Sequence, residues 1–262
     1  MSVPPRDNTD RAYRAVIEDR DAPSPIVLVC EHASNHIPPE WGDLGLSPDV
    51  QRAHIAWDLG ALLLARGLAQ RLRASLVHAP VSRLVYDLNR PPDQAGAMPA
   101  RSEVYEVPGN RAISPADRAE RTRAIYLPFH DDLHAELARR IALGRAPVLV
   151  TIHSFTPVWF GQPRSVEFGV IHDADQRLSH AILAEATGTP LRSELNAPYS
   201  AADGVTHTLR LHATPYGLLN AMLEVRNDLI ATPEAADAVA ATLAPVLDRA
   251  LAGAQEKQMT GA

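Results

Sequence analysis

The sequence predicts an α/β fold, a three-layer α/β/α sandwich around a mixed, mostly parallel central sheet. Three observations predict it. Uninterrupted apolar runs, such as Ile26-Val27-Leu28-Val29-Cys30 and Val148-Leu149-Val150-Thr151-Ile152, have the form of strands buried on both faces. These runs alternate with segments of helical apolar period. Three of them end on groups that carry chemistry, at His32, at His153, and at Glu224 with Arg226. Ligands of open α/β sheets bind just beyond such strand ends.

In chain order, residues 26–31 form the first core strand and 32–48 a loop rich in Asn, Pro and Gly. Residues 58–72 place Leu59, Leu62, Leu63, Ala65, Ala69 and Leu72 near one face and read as a helix. A second strand covers 75–79, and a short third covers 84–88. Residues 89–114 have prolines, glycines and little periodicity, so they form a long loop, where function often concentrates. Ser114-Pro115 opens a helix, with Ser at the N-cap and Pro at the first helical position. Ile125, Phe129, Leu133, Leu137 and Ile141 then recur at four-residue steps. Pro128 lacks an N–H and must kink that helix or split it. Strands follow at 148–153 and 166–171, then a helix at 175–187 with Gly188 as its stop. Residues 206–211 and 220–225 are further strands. Pro233 opens a last amphipathic helix through Val239, Leu243, Leu247 and Leu251, and the polar tail from Gly253 is expected to fray. With no repeat, low-complexity tract or linker, residues 1–262 are expected to form one domain with its core at about 25–252.

Composition narrows the partners. The 262 residues are 46% hydrophobic and 21% charged, which is globular, and the net charge of -6 leaves no basic stripe for nucleic acid or an anionic membrane. Residues 1–10 are polar with two prolines and lack the apolar stretch of a signal peptide. No run approaches the ~18 apolar residues of a membrane span. The single cysteine, Cys30, lies in an apolar run and reads as a small core residue. It permits no disulfide within the chain, which fits a reducing compartment, so the expected location is the cytoplasm. The oligomeric state stays open, because the apolar face of the last helix suits the sheet or another subunit.

Two histidines and a carboxylate at strand ends are the parts of a hydrolytic zinc site. The sequence offers His32, Asp58 and His153 as ligands and Glu224 as the base. Each has an ordinary alternative. A histidine at a strand end often just hydrogen-bonds, and Asp58 suits the N-cap of its helix. Glu224 is harder to dismiss, since an unpaired carboxylate in an apolar strand is costly. His130 and His134, four apart on one helix, suit either a metal or a solvated face beside Asp131 and Asp132. Ser34 and Ser154 lack the Gly-x-Ser-x-Gly elbow of a serine hydrolase.

Five ordered blocks carry a resemblance. They are Cys30-Glu31-His32-Ala33-Ser34-Asn35-His36-Ile37-Pro38, His54-Ile55-Ala56-Trp57-Asp58-Leu59-Gly60-Ala61, Ser82-Arg83-Leu84-Val85-Tyr86-Asp87-Leu88-Asn89-Arg90, Thr151-Ile152-His153-Ser154-Phe155-Thr156-Pro157, and Leu223-Glu224-Val225-Arg226-Asn227-Asp228-Leu229. In that order, across about 25–250, the chain resembles the N-formylglutamate amidohydrolase family. The resemblance implies a zinc-peptidase-like fold and hydrolysis of a linear amide. The family's named reaction releases formate and glutamate from N-formyl-L-glutamate, at the end of one histidine-degradation route. It also implies Zn2+ on His32, Asp58 and His153, with Glu224 as proton shuttle. Iron, cobalt or manganese suit the same donors. Where the more distant zinc carboxypeptidases place a Glu ligand three residues after the first His, this chain has Asn35, so Asp58 takes the carboxylate role with Glu31 as the alternative. Ala33 stands where the best-matching members have glycine, in the loop over the acyl group.

A small acidic N-acyl amino acid needs planar cations for its carboxylates. Arg83, Arg90 and Arg226 lie in the blocks, with Asn89 as an amide donor and Arg83 suited to the oxyanion. The alternative for each arginine is a structural pair with Asp87, Glu224 or Asp228. Asn35, Ser154, His130 and His207 complete the expected substrate-facing set. Rival readings are the same machinery on another N-acyl amino acid or a short peptide, and a non-catalytic binding protein on the same fold.

Overall fold

The computed structural model describes residues 12–260, so the N-terminal stretch 1–10 lies outside it. In chain order the strands are β1 (Val16–Glu18), β2 (Ile26–Cys30), β3 (Ser75–His78), β4 (Arg101–Ser102), β5 (Tyr105–Glu106), β6 (Val148–Phe155), β7 (Val158–Trp159), β8 (Gln162–Pro163), β9 (Phe168–Ile171), β10 (Ser193–Leu195) and β11 (Asn220–Arg226). The helices are α1 (Pro48–Arg52), α2 (Ala61–Leu72), α3 (Pro108–Arg111), α4 (Pro115–Arg121), α5 (Leu127–Ala142), α6 (Arg177–Ala186), α7 (His207–His212) and α8 (Pro233–Thr260). Among the described residues no helix is long and apolar enough to cross a membrane.

Seven strands form one sheet in the order β1-β3-β2-β6-β11-β9-β10. β3, β2, β6 and β11 are parallel neighbours, β9 runs against β11 with β10 parallel to it, and β1 is antiparallel to β3. Period-two alternation divides the side chains between two cores. Ile26, Leu28, Val150, Ile152, Leu223 and Val225 pack with α2, α6 and α8. Val27, Val29, Leu149 and Met222 pack with α5, α7 and the long loops. These are the three layers the sequence predicts.

That alternation also places the polar groups. His153 shares the α5–α7 face with Leu149, and Glu224 shares it with Met222. Parallel pairing sets Glu224 directly beside His153. From β2 the chain crosses through α2 to β3 on one side, and it later enters β6 on β2's other side. The strand order therefore reverses between β2 and β6, where doubly wound sheets open a crevice. His32 follows the end of β2, and His153 lies near the end of β6.

Several expectations need correction. Residues 84–88 are buried but form turns, with Val85 and Tyr86 N–H both donating to the Ser82 carbonyl at 3.0 and 3.3 Å. Residues 206–211 are not a strand. They form α7, where Arg210 N–H donates to the Thr206 carbonyl at 3.0 Å and Asn89 Oδ1 accepts the Thr208 N–H at 3.0 Å. Both stretches are short apolar runs, in which periodicity does not separate strand from helix or buried turn. The helix expected from residue 58 begins at Ala61 with Gly60 as its N-cap, at φ +78°. A Cβ on Gly60 would lie 2.2 Å from the Ile230 carbonyl oxygen, so this left-handed corner needs glycine. Asp58 is thereby free of capping duty. The tail does not fray at Gly253: α8 continues to Thr260, and Ala254 is buried in the core. Pro128 does divide its helix, but through a π-turn over Thr122–Tyr126 that joins α4 to α5. The long loop carries the β4–β5 hairpin and α3.

Candidate metal centre and active-site cavity

His32, Asp58 and His153 converge, all buried. His32 Nδ1 lies 3.2 Å from Asp58 Oδ2, His153 Nδ1 lies 3.0 Å from the same oxygen, and the two Nδ1 atoms are 3.2 Å apart. Each ring has a carboxylate behind it, in hydrogen-bond geometry for His32 and at ion-pair distance for His153. His32 Nε2–H donates to Asp87 Oδ1 at 2.8 Å, and His153 Nε2 sits 3.2 Å from Glu31 Oε2. Carboxylates at the outer nitrogens keep the proton there, so both Nδ1 lone pairs point inward. Three electron-rich atoms this close repel one another unless a proton or a metal cation sits among them. Ligands ~2.0–2.1 Å from one tetrahedral ion are about 3.3 Å apart, close to the spacing here. The donor set fits a divalent metal.

The electrostatics have the same sense. Burial opposes charge on Glu31, yet His153 and His32 hold its carboxyl below the usual range. Burial likewise opposes Asp58 and Asp87, yet His32, His153 and Arg83 hold Asp58 low, and Arg83 and His32 hold Asp87 low. Burial and Arg83 disfavour protonating His32, but Asp87 and Asp58 raise it, while Glu31 and Asp58 raise His153 well above its ordinary value against its burial. The cluster holds more negative charge than Arg83 alone balances and calls for a cation. Arg83 bridges two of these acids, donating to Asp58 Oδ1 at 3.1 Å and Asp87 Oδ2 at 2.7 Å.

Glu224 faces the same cavity, which encloses about 680 Å³. Burial first, then Asp58, pushes its carboxyl up to about 7, against the pull of His153, His32 and Arg83. Its Oε2 is buried with no hydrogen-bond partner. Gly169, opposite Glu224 in the β9–β11 ladder, leaves room for it. A Cβ on Gly169 would come 1.8 Å from the Ala197 carbonyl and 3.3 Å from Glu224 Cβ.

The other expected site residues divide. Arg83, Asn89, Arg90 and Ser154 line the cavity. Ser154 N–H donates to Asp58 Oδ2 at 3.3 Å and its hydroxyl to the Leu59 carbonyl at 2.8 Å, which steadies Asp58. Asn89 Nδ2 donates to the Val205 carbonyl, and Arg90 Nη1 to the Gly204 carbonyl. Asn35, His130, His207 and Arg226 do not line it. Asn35 Nδ2 donates to the Gln51 carbonyl at 3.1 Å. Arg226 is engaged by Asp228 at 2.8 Å and Glu167 at 3.4 Å. His207 Nε2 meets the Tyr126 hydroxyl at 2.8 Å. His130 Nε2–H donates to the Leu88 carbonyl at 3.0 Å, and its Nδ1 accepts from His212 Nε2 at 2.8 Å. Burial and then its histidine neighbours keep His130 neutral, behind the segment that carries Asp87. His130 and His134 do not form a metal group: among the described residues His32, Asp58 and His153 are the single such cluster.

From the sequence, Asp87 was expected only as a structural partner of an arginine, which Arg83 is, and Glu31 only as an alternative ligand; the structure also sets both behind the histidines. A carboxylate inside the apolar run 84–88, four residues after Arg83, was the available signal for Asp87.

The model of the N-formylglutamate amidohydrolase family matches residues 24–231. The chain is similar to the crystal structure of gene product Atu2144 from Agrobacterium tumefaciens, at 50% identity over 94% of this chain and 97% of that one, with a TM-score of 0.91. It is also similar to an N-formylglutamate amidohydrolase from Ralstonia eutropha JMP134, at 15% identity over 95% and 99% of the two chains, with a TM-score of 0.67. At that identity the likeness is one of fold. No curated protein matches the sequence.

Proposed function

The chain belongs to the N-formylglutamate amidohydrolase family, hydrolases of amide bonds, and we propose that it is a zinc-dependent amidohydrolase of small acidic N-acyl amino acids, with N-formyl-L-glutamate or a close relative as substrate. The observation that carries this reading is the triangle of His32 Nδ1, His153 Nδ1 and Asp58 Oδ2 at 3.0–3.2 Å, in one cavity with Glu224, whose Oε2 is buried without a partner.

His32, Asp58 and His153 would hold the metal, with Asp87 and Glu31 behind the two rings. A bound divalent ion supplies Lewis-acid polarisation of the amide carbonyl and makes hydroxide accessible near neutral pH. Glu224 removes the proton from the attacking water and delivers it to the departing amine nitrogen, as a carboxyl poised near the working pH does well. Arg83 locks Asp58 and Asp87 in place and lines the cavity, where a guanidinium suits the carbonyl oxygen as it gains charge. Arg90 and Asn89 shape the wall toward α7.

The cavity volume favours a second reading for the acyl group. About 680 Å³ is in the range of ~300–1,000 Å³ that encloses much larger ligands than N-formylglutamate. A longer acyl chain or a short peptide fits the same machinery. A panel of N-formyl, N-acetyl and N-succinyl amino acids, assayed with zinc-loaded protein, separates these substrates. Zinc binding with no turnover across the panel would contradict the amidohydrolase reading and favour a binding protein.

A further inference from the structure

The cavity contains a cation with no acid to neutralise it. Arg164 follows the β7–β8 hairpin and lines the wall across which Trp159 and Tyr199 also face the cavity. Three aromatic rings surround its guanidinium, with centroids at 4.7 Å for Trp159, 5.1 Å for Tyr199 and 5.5 Å for Phe155. Its polar contacts are neutral. Nη2 donates to the Tyr199 hydroxyl at 3.1 Å and Nη1 to the Thr156 carbonyl at 3.4 Å. Among the described residues no carboxylate lies within ion-pair distance of it. Arg83 and Arg226, by contrast, each have two acid partners, and Arg90, which also lacks an acid among the described residues, is taken up by the Gly204 and Asn89 carbonyls and has no ring cage there.

We propose that Arg164, in its cage of Phe155, Trp159 and Tyr199, is the residue that binds a substrate carboxylate and so sets the preference for acidic substrates. The ring faces attract the guanidinium and hold its plane, and they remove much of its water. A half-dehydrated cation without a counter-ion is costly, and a carboxylate entering the cavity restores the missing partner. The guanidinium plane matches a carboxylate with two parallel N–H bonds, which a lysine does not offer. The cage also reaches the reacting groups. The Tyr199 hydroxyl that accepts from Arg164 lines the same cavity as Glu224. A carboxylate held by Arg164 therefore keeps the rest of the substrate in the cavity that Glu224 faces. This inference rests on the amidohydrolase reading for its substrate, but not for the presence of the cation.

The test uses zinc-loaded wild type, R164Q and R164K. Substrates are N-formyl-L-glutamate and its two monoamides, N-formyl-L-glutamine and N-formyl-L-isoglutamine. In R164Q the KM for the diacid should rise roughly 10- to 100-fold with kcat little changed, the size of a lost charged hydrogen bond. One monoamide, the one lacking the carboxylate that Arg164 holds, should be indifferent to the substitution. R164K should fall between. Equal losses on all three substrates would mark a structural role and overturn the proposal, as would an unchanged KM for the diacid. If the wild type hydrolyses none of them, the N-formyl substrate reading fails by itself, and calorimetry with glutarate decides about Arg164. Binding at least tenfold weaker in R164Q sustains the carboxylate site; equal binding, or no binding to the wild type, ends it.

Discussion

Replacing Glu224 with glutamine removes the ionisable oxygen and preserves the shape. Two consequences follow, and they separate chemistry from folding. Turnover should fall by at least about 100-fold, since Gln cannot take the proton of water, while the zinc content stays that of the wild type. Stability of the metal-free protein should change in the opposite sense. Burial and Asp58 hold the folded Glu224 carboxyl at about 7, against 4.5 for an ordinary glutamate. The folded state thus keeps its proton where the unfolded chain has lost it. Stability from this group is fully present below about 4.5 and is lost as pH rises through about 7. The difference corresponds to about 3 kcal/mol of destabilisation by the buried anion above neutrality. E224Q has no such group, so its stability relative to wild type should be greater at pH 8 than at pH 5, by up to that amount. Urea unfolding of chelator-treated wild type and E224Q at the two pH values measures it. Parallel pH profiles for the two proteins would refute the reasoning, and so would a loss of zinc by E224Q.

Further outcomes follow from the same geometry. Asp87→Asn keeps the shape but weakens the support of His32, so zinc affinity should drop roughly 10- to 100-fold, read by competition with a chromogenic chelator. Zinc should raise the melting temperature of the wild type, with about 2.7 kcal/mol gained at a free concentration 100 times Kd, and His153→Ala should lose that response. Gly169→Ala forces its new methyl against the Ala197 carbonyl, 1.8 Å away as built, and so displaces the Pro198–Tyr199 wall of the cavity. It should lower kcat/KM even where the fold survives by circular dichroism. The acidic limb of the kcat/KM profile of the zinc enzyme should lie below about 7, because a nearby cation lowers the Glu224 carboxyl from its metal-free position.

Much of the fold was legible because the central strands are buried on both faces, and such strands write themselves as uninterrupted apolar runs. The edge strands β1 and β10, three residues each, leave too short a signal. Residues 84–88 and 206–211 misled for a related reason. Their apolar content reports burial, whereas their backbone bonds are made locally at Ser82 and at Asn89. At the site, strand ends pointed to His32, His153 and Glu224 because the parallel sheet collects them on one edge. Asp58 was ambiguous between ligand and cap until Gly60 took the cap position. The supports were harder to read. Glu31 reaches His153 only through the face alternation of two strands that are far apart in sequence. Arg164 was missed because its meaning lies in what is absent: nothing along the chain shows that an arginine has found rings and no acid.

The central claim is a metal held by His32, Asp58 and His153 that is required for amide hydrolysis. The most direct test is elemental analysis of purified wild type and His32→Ala, with N-formylglutamate hydrolysis assayed on the same samples. The account predicts about one zinc per chain in the wild type, lost together with activity in the variant. Absence of bound metal in the wild type after zinc is supplied, or a His32→Ala protein that keeps both metal and activity, would contradict it.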